Sequence, residues 1–321
     1  MLKLTGRRLI YGFVILNIMT IALFLMIRVV PGDPVRTQLA DAAVSEERID
    51  ELTAEFGLDQ PVWQQLVDWY SGAIRGDFGT SFATGEPVSE MIFSRIPLTM
   101  TLALFSVTIG VTVGIVAGVT SAIRRNGWVD NVVRFFAVLS LSLPNFWIAL
   151  LMLTAVSTWF AWVPPLAYPG LFEDPWGTFQ KMWMPAIALG TGLGASIARL
   201  TRSSLLEVLG SDFIRTVRAK GARERVVLYR HALRNSLIPV ITLIGIQIGA
   251  LLGGTVIMES IFSLPGLGSE VFRAVQRRDY PVLQMGAIVY GAIFIIVNIA
   301  VDISYGWVNP RMRAVTRGSL A

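Results

Sequence analysis

Six runs of uncharged, mostly apolar residues recur along this chain, each longer than a one-sided soluble helix would tolerate. The first extends from Leu9 to Ile27 between Arg8 and Arg28, and the second from Leu98 to Ala122. The third begins at Phe135. Nothing from there to Leu171 is charged, which predicts one full span ending near Trp159 and an interfacial stretch with Trp162, Pro164, Pro165 and Tyr168. The fourth is Met182 to Ala198, the fifth Ser236 to Met258 and the sixth Leu283 to Val301. A helix needs roughly 20 apolar residues to cross about 30 Å of hydrocarbon. Six transmembrane helices are therefore predicted, and an all-α membrane protein follows because lipid offers backbone amides no partner outside the helix.

Composition agrees with the bilayer as solvent: of 321 residues, 54% are hydrophobic and 15% charged, and the mean hydropathy is +0.61. Lys3, Arg7 and Arg8 before an apolar run, with Ala40-Asp41-Ala42 downstream, loosely resemble a secretory signal. The run exceeds the 7 to 15 residues of a signal core and the Ala-Asp-Ala lies far beyond it, so the segment reads as a retained span. Cysteine is absent, which excludes disulfides and thiolate metal sites.

Lys and Arg sort the loops. Three basic residues precede the first span, Arg124, Arg125 and Arg134 lie between the second and third, and nine lie between Arg199 and Arg234. Arg311, Arg313 and Arg317 follow the sixth. On the other side, Pro31 to Pro97 carries twelve acidic residues against four basic, and Leu171 to Lys181 has Glu173 and Asp174 against one lysine. The positive-inside bias places both termini in the cytoplasm and makes the net charge of +5 topogenic, with no nucleic acid required. Trp63, Trp69 and Tyr70 give the acidic external segment the look of a folded helical cap.

The connection between the fourth and fifth spans, Phe213 to Pro239, is too long and too charged for a simple turn. It reads as helix, break, helix. The break falls at Ala219-Lys220-Gly221-Ala222, because glycine tolerates the positive backbone angle that ends one helix before Arg223 starts the next. The plainer alternative is a solvated basic loop that only anchors topology. Beyond the fifth span, Glu259 to Pro281 forms an external loop in which Pro265, Gly266 and Gly268 force a turn and place Phe262 and Leu264 at its tip. An apolar tip in water wants a partner. The alternative is that the loop re-enters the mouth of the bundle as packing.

Other residues carry less. His231 stands alone among basic neighbours, which leaves metal binding or catalysis little to build on. Glu259 and Asp302 border spans and read as structural or gate-lining groups. Gly190, Gly192 and Gly194, with Ala188, Ala195 and Ala198, permit close helix packing or a hinge. Ser142, Asn145, Gln247 and Met258 are candidates for a translocation pathway by polarity and position.

The basic connection also resembles the cytoplasmic coupling segment of ABC importer permeases in their peptide, dipeptide and nickel branch, as the first of the two permeases. The general family begins Glu-Ala-Ala six residues before its central glycine, where this chain has Arg215-Thr216-Val217 before Gly221. The peptide branch departs likewise, with strings matching Arg218 to Gly221 and His231 to Asn235. Similar strings cover nearly the whole chain: Pro31 to Pro34, Phe56 to Pro61, Arg75 to Ser81, Leu141 to Trp147, Glu259 to Gly268, Asp279 to Gln284 and Asn309 to Arg313. The branch usually has aspartate where this chain has Asn309.

The resemblance implies a type I importer permease bundle in a prokaryotic inner membrane. It divides the chain into residues 1–30 as cytoplasmic N-terminus and first span, 31–97 as the external segment, and 98–321 as the core with coupling segment 203–235. Residues 213–225 would dock a short helix into a cytoplasmic ATPase through Arg215, Arg218, Ala219, Lys220, Gly221, Ala222 and Glu224. Glu259, Phe262, Leu264, Pro265, Gly266 and Leu267 would touch a substrate-binding protein. The implied partners are a second homologous permease, two ATPase subunits or domains, the extracytoplasmic binding protein and membrane lipid.

No GxxxxGK[ST] phosphate loop occurs in the chain, so energy must arrive by contact, with ATP and magnesium held by the partner ATPases and no cofactor held here. An ion-coupled carrier would put ionisable residues at span centres, and an intramembrane enzyme needs a nucleophile with its base or a set of metal ligands. Neither pattern is present. Di- or oligopeptides are the cargo the resemblance favours, with nickel complexes, glutathione and oligosaccharides as alternatives.

Overall fold

The computed structural model describes residues 2–32, 34–38, 45–165 and 167–308. The Ala40-Asp41-Ala42 and Asn309 to Arg313 strings, the basic residues after the sixth span, Asp33 and the side chains of Lys3 and Asp302 lie outside what is described.

Among these residues the chain is helical, and the only β pairing is an isolated bridge between Thr80 and Pro87. Helix α1 covers Leu2–Val29. Short helices α2 (Pro34–Gln38), α3 (Glu46–Glu55) and α4 (Val62–Ile74) follow, which gives the acidic segment the folded helical character read from its sequence. Then come α5 (Val88–Ile123), α6 (Trp128–Ser142), α7 (Asn145–Phe160) and α8 (Pro175–Leu209). The eight-residue α9 (Asp212–Ala219) leads through a turn to a π-helical stretch, Val226–Ala232, which runs without a break into α10 (Leu233–Ile261). Helices α11 (Leu267–Arg277) and α12 (Tyr280–Val308) complete the described chain.

Among the described residues, four segments are long and apolar enough to cross a membrane: Gly6–Val29, Val88–Ile123, Val226–Ile261 and Tyr280–Ala300. A fifth span exists if the bent pair α6 and α7 is taken as one. Helix α8 contains the expected fourth span but is not among them. Its glycines dilute the apolar run between Lys181 and Arg199.

The third span differs from its prediction. What reads as one uncharged run is two helices bent by 106°. The cause is Pro144, which has no N–H to donate and excludes the helical conformation at the residue before it; Leu143 is extended, with φ −98° and ψ 134°.

The chain forms two compact units. In the first, Met1–Thr99 with Leu264–Ile295, a core joins Ile27, Val88, Ile92, Leu267, Ala274, Val282, Leu283 and Met285. Arg28 donates from its Nε to Gln65 Oε1 at 2.9 Å, which ties the end of α1 to α4. Phe56 stacks on Phe82 at 4.2 Å, and Phe82 meets Tyr280 at 6.1 Å.

In the second unit, Met100–Ser263 with Ile296–Ala321, α8 is the hub against which α6, α7 and α10 pack. It meets α5 along small residues. A Cβ added to Gly114 would lie 2.7 Å from the Gly194 carbonyl oxygen, and one added to Gly118 would lie 2.6 Å from that of Ala198. Backbones this close leave room for no side chain, which is how small residues spaced by four hold helices together where lipid supplies no hydrophobic drive. The small residues read from the sequence on α8 thus have counterparts on α5. After α7, Ala161 turns left-handed, Trp162 packs on Trp183 at 5.9 Å, and the Tyr168 hydroxyl donates to Thr101 Oγ1 at 3.4 Å.

Candidate functional site

The connection between α8 and α10 folds as helix, turn and helix. Helix α9 is amphipathic at helical spacing: Ile214 is fully buried, Val217 is half-buried, and Phe213, Arg215, Thr216 and Arg218 are exposed. Ile214 joins a core with Val119 and Ala122 of α5, Leu205 of α8, and Val227 and Ala232 of the π-helical stretch. The turn after α9 places Gly221 at φ +79°. No atom crowds a Cβ there, so the glycine is required for its backbone conformation, and any other residue would add about 1–2 kcal/mol of left-handed strain.

Arg218 closes this turn. Its Nε donates to Glu224 Oε1 at 2.8 Å and a terminal nitrogen donates to Oε2 at 3.3 Å. The hydrogen bond from Arg218 draws the Glu224 carboxyl below its ordinary value, with the Arg218 charge adding to it. Arg215 pairs instead with Asp212 at 2.9 Å on the same exposed face. Ala219, Lys220 and Gly221 are exposed at the tip and Ala222 is half-buried beneath it. The rings of His231 and Phe213 meet in a T-shaped contact at 6.0 Å.

The pathway candidates separate. Asn145 and Gln247 line one cavity of about 350 Å³ in the second unit, together with Ser140, Pro144, Gly192, Ser196, Leu251 and Gly254 among others. Ser196 donates to the Gly192 carbonyl at 3.1 Å, and the Gln247 amide reaches Ser196 Oγ at 3.5 Å. Among the described residues, none that lines the cavity is ionisable. Ser142 lies outside the cavity with its hydroxyl spent on the Val138 carbonyl at 2.9 Å, and Met258 is buried within α10 away from the lining. A volume of this order accommodates a small molecule.

The loop after α10 corrects its expectation. Phe262 is 5% exposed and Leu264 1%, so neither forms an apolar tip in water. In the first unit the loop is held inward: the Leu267 amide donates to Thr99 Oγ1 at 2.9 Å, and Ser269 donates to the Leu264 and Gly266 carbonyls, each at 2.9 Å. Glu270 receives Arg273 at 2.8 Å and lies 3.6 Å from Arg95. Glu259, Gly266 and Leu267 are buried as well. Ser260 and Ser263 are the exposed positions there, with Pro265 half-exposed.

Two polar clusters have no counterpart in the sequence reading. Asp130 of α6, fully buried, accepts from Arg202 Nε and a terminal nitrogen at 2.7 Å each, from Ser121 Oγ at 2.5 Å and from the Asn126 amide at 2.9 Å. Its one signal in the chain is that of a lone acid in a corner that otherwise carries Arg124, Arg125 and Arg134. Asp279 accepts from Ser81 Oγ at 2.5 Å and from the Phe82 and Ala83 amides at 3.2 and 3.3 Å. It joins two strings, Arg75 to Ser81 and Asp279 to Gln284, that the sequence shows only as separate matches.

Known proteins are similar to this chain in sequence and in fold. The family described as "Binding-protein-dependent transport system inner membrane component" matches residues 110–314, and its N-terminal counterpart matches residues 1–103. The chain is 39% identical to the dipeptide transport system permease protein DppB of Alkalihalophilus pseudofirmus, over 98% of this chain and 100% of that protein. It is 40% identical to DppB of Escherichia coli, over 98% and 99%. In fold it is similar to the inward-facing MetNI methionine ABC transporter, with a TM-score of 0.53 at 18% identity over 68% of this chain and 96% of that one.

Proposed function

This chain belongs to the family of binding-protein-dependent transport system inner membrane components, with matches over both halves of its length, and on that premise we propose how it works. It is a multi-pass transport permease. It forms half of a translocation pathway with a second, homologous permease, and two ATPase subunits hold ATP and magnesium. Their closure pushes on α9 and rocks the bundle between inward-open and outward-open states. The cargo is a di- or oligopeptide, handed over by an extracytoplasmic binding protein. The reading counts α8 as a span, which makes six, and takes both termini as cytoplasmic on the Lys and Arg bias of the loops.

The observation that carries this reading is α9. It is a short helix with one face seated on Val119, Ala122 and Leu205 and a charged face left in solvent, followed by a turn that only glycine adopts without strain. A topological anchor needs charge but neither the seat nor the turn. The uncharged cavity supports placing cargo choice in the binding protein, since no lining group would select for a charge.

Affinity purification of the tagged chain tests the assembly and is expected to bring down a second permease and an ATPase. Uptake of a labelled dipeptide by vesicles carrying that complex, with ATP inside and binding protein outside, tests the activity. Labelling of a Lys220→Cys variant from outside the cell, or uptake without ATP, would refute the scheme. A peptide library screened on the binding protein separates peptides from glutathione, nickel complexes and oligosaccharides.

A further inference from the structure

We propose that Asp130 and Arg202 are positioning residues that lock the ends of α5, α6 and α8 into one rigid body, so that a push on α9 reaches the cavity instead of being absorbed at the helix ends. The proposal rests on the transport reading above and adds to it the element that transmits the stroke.

Three helices meet at this carboxylate. Asp130 sits in the first turn of α6, Ser121 lies one residue before Ala122 near the end of α5, and Arg202 lies one turn before Leu205 on α8. Arg202 grips both carboxylate oxygens at 2.7 Å, a fork geometry that fixes orientation as well as distance. Ser121 and the amide of Asn126, itself at φ +61°, fill the remaining acceptor directions. A fully buried, fully occupied carboxylate cannot slide: any relative movement of the three helices would leave a charge in the interior without its partners.

The location gives the lock its purpose. Ala122 and Leu205, neighbours of the locked residues on α5 and α8, belong to the apolar seat that receives Ile214 of α9. On the other side, α6 runs from Asp130 to the break at Leu143 and Pro144, where Ser140, Leu141 and Asn145 border the cavity. The lock therefore joins the place where force would enter to the helix that ends at the cavity. An ion pair serving stability alone has no need to bridge those two points.

The absence of cysteine permits a direct test. Val132→Cys on α6 and Glu207→Cys on α8, both exposed in the chain, are spin-labelled in the complete complex with its binding protein. Their distance distribution is measured with and without ATP plus vanadate. The wild-type lock should keep one narrow distance in both states. Asp130→Asn removes the charge, and Arg202→Lys keeps the charge but loses the fork. In both, the distribution should broaden or shift on ATP, and uptake of labelled dialanine per ATP hydrolysed should fall about tenfold. Ser121→Ala, the mildest change, should broaden the distribution less.

A wild-type distance that changes with ATP overturns the proposal, as does a narrow, ATP-independent distance in both Asp130→Asn and Arg202→Lys. A purely structural role would lower complex yield, hydrolysis and uptake in proportion and leave their ratio unchanged, which also overturns it. Failure of the transport reading looks different: wild-type vesicles would then show no ATP-dependent uptake at all, whatever the distance does.

Discussion

Ser81 and Asp279, 198 residues apart in the chain, are joined by a hydrogen bond of 2.5 Å from the serine hydroxyl to the carboxylate, with both groups buried. With the Phe82 and Ala83 amides, Ser81 makes Asp279 the anchor of the segment leading into α5. Asp279→Ala leaves the Ser81 hydroxyl and the Phe82 amide without their acceptor, at about 1–3 kcal/mol for each donor that stays buried, while the Ala83 amide keeps Ser81 Oγ at 3.2 Å. A lower unfolding temperature of the detergent-purified protein, with faster proteolysis between Gly76 and Glu86, is expected. Unchanged cleavage there would argue against the anchor.

Gly221 carries the turn after α9 by conformation alone. Gly221→Val combines left-handed strain of about 1–2 kcal/mol or more with β-branching and should abolish ATP-driven uptake, while immunoblots show normal amounts in the membrane. Charge reversal at Arg218 and Lys220 should do the same by spoiling the exposed face. Normal transport in both variants would remove α9 from the mechanism.

The pair Arg218 and Glu224 gives a prediction in pH. The carboxyl of Glu224 lies below its ordinary value of 4.5 because Arg218 donates to it and because of that residue's charge. A depressed folded value means that the pair's contribution is fully present above about 4.5 and is lost only as pH falls through the lower, folded value. The turn should therefore be indifferent to pH across neutrality. A carbon-13 titration of the Glu224 carboxyl should give a midpoint below 4.5, and Arg218→Gln should move it back up; a midpoint unaffected by Arg218→Gln would contradict the pairing.

The contact between α5 and α8 is exacting at one position, whereas α10 is permissive at another. Gly114→Val drives two methyl groups into the Gly194 carbonyl and Ile197, and overpacking of this kind costs about 1–3 kcal/mol or more. Gly253 in α10 has nothing within 4 Å of an added Cβ, so Gly253→Ala should be neutral or stabilise by roughly 0.5–1 kcal/mol. Thermal unfolding in detergent should rank the two in that order.

Much of this architecture is legible along the chain because a bilayer imposes a local rule: length and apolarity fix a span without reference to distant residues. Ser236 to Met258 falls inside α10, Leu98 to Ala122 inside α5, and Gly221 takes the positive angle that its place between two helical patterns requires. Pro144 is visible in the same way, yet an uncharged run from Phe135 onward conceals that it breaks a helix instead of kinking one. Long-range relations are not legible. Phe262 and Leu264 look like an exposed tip until Thr99 is seen to take the Leu267 amide and turn the loop inward. Asp130 shows in the sequence only as a lone acid among arginines, and nothing there points to Arg202, 72 residues away.

The break between α6 and α7 has one more outcome. Pro144 has no N–H to return to the Ser140 carbonyl, and its own carbonyl opens α7 by accepting from the Trp147 and Ile148 amides at 3.0 and 3.2 Å, at the edge of the cavity that Ser140 and Pro144 both border. Evolution can resize this chamber by exchanging Leu251 or Gln247, while the bend at its edge persists for as long as Pro144 does.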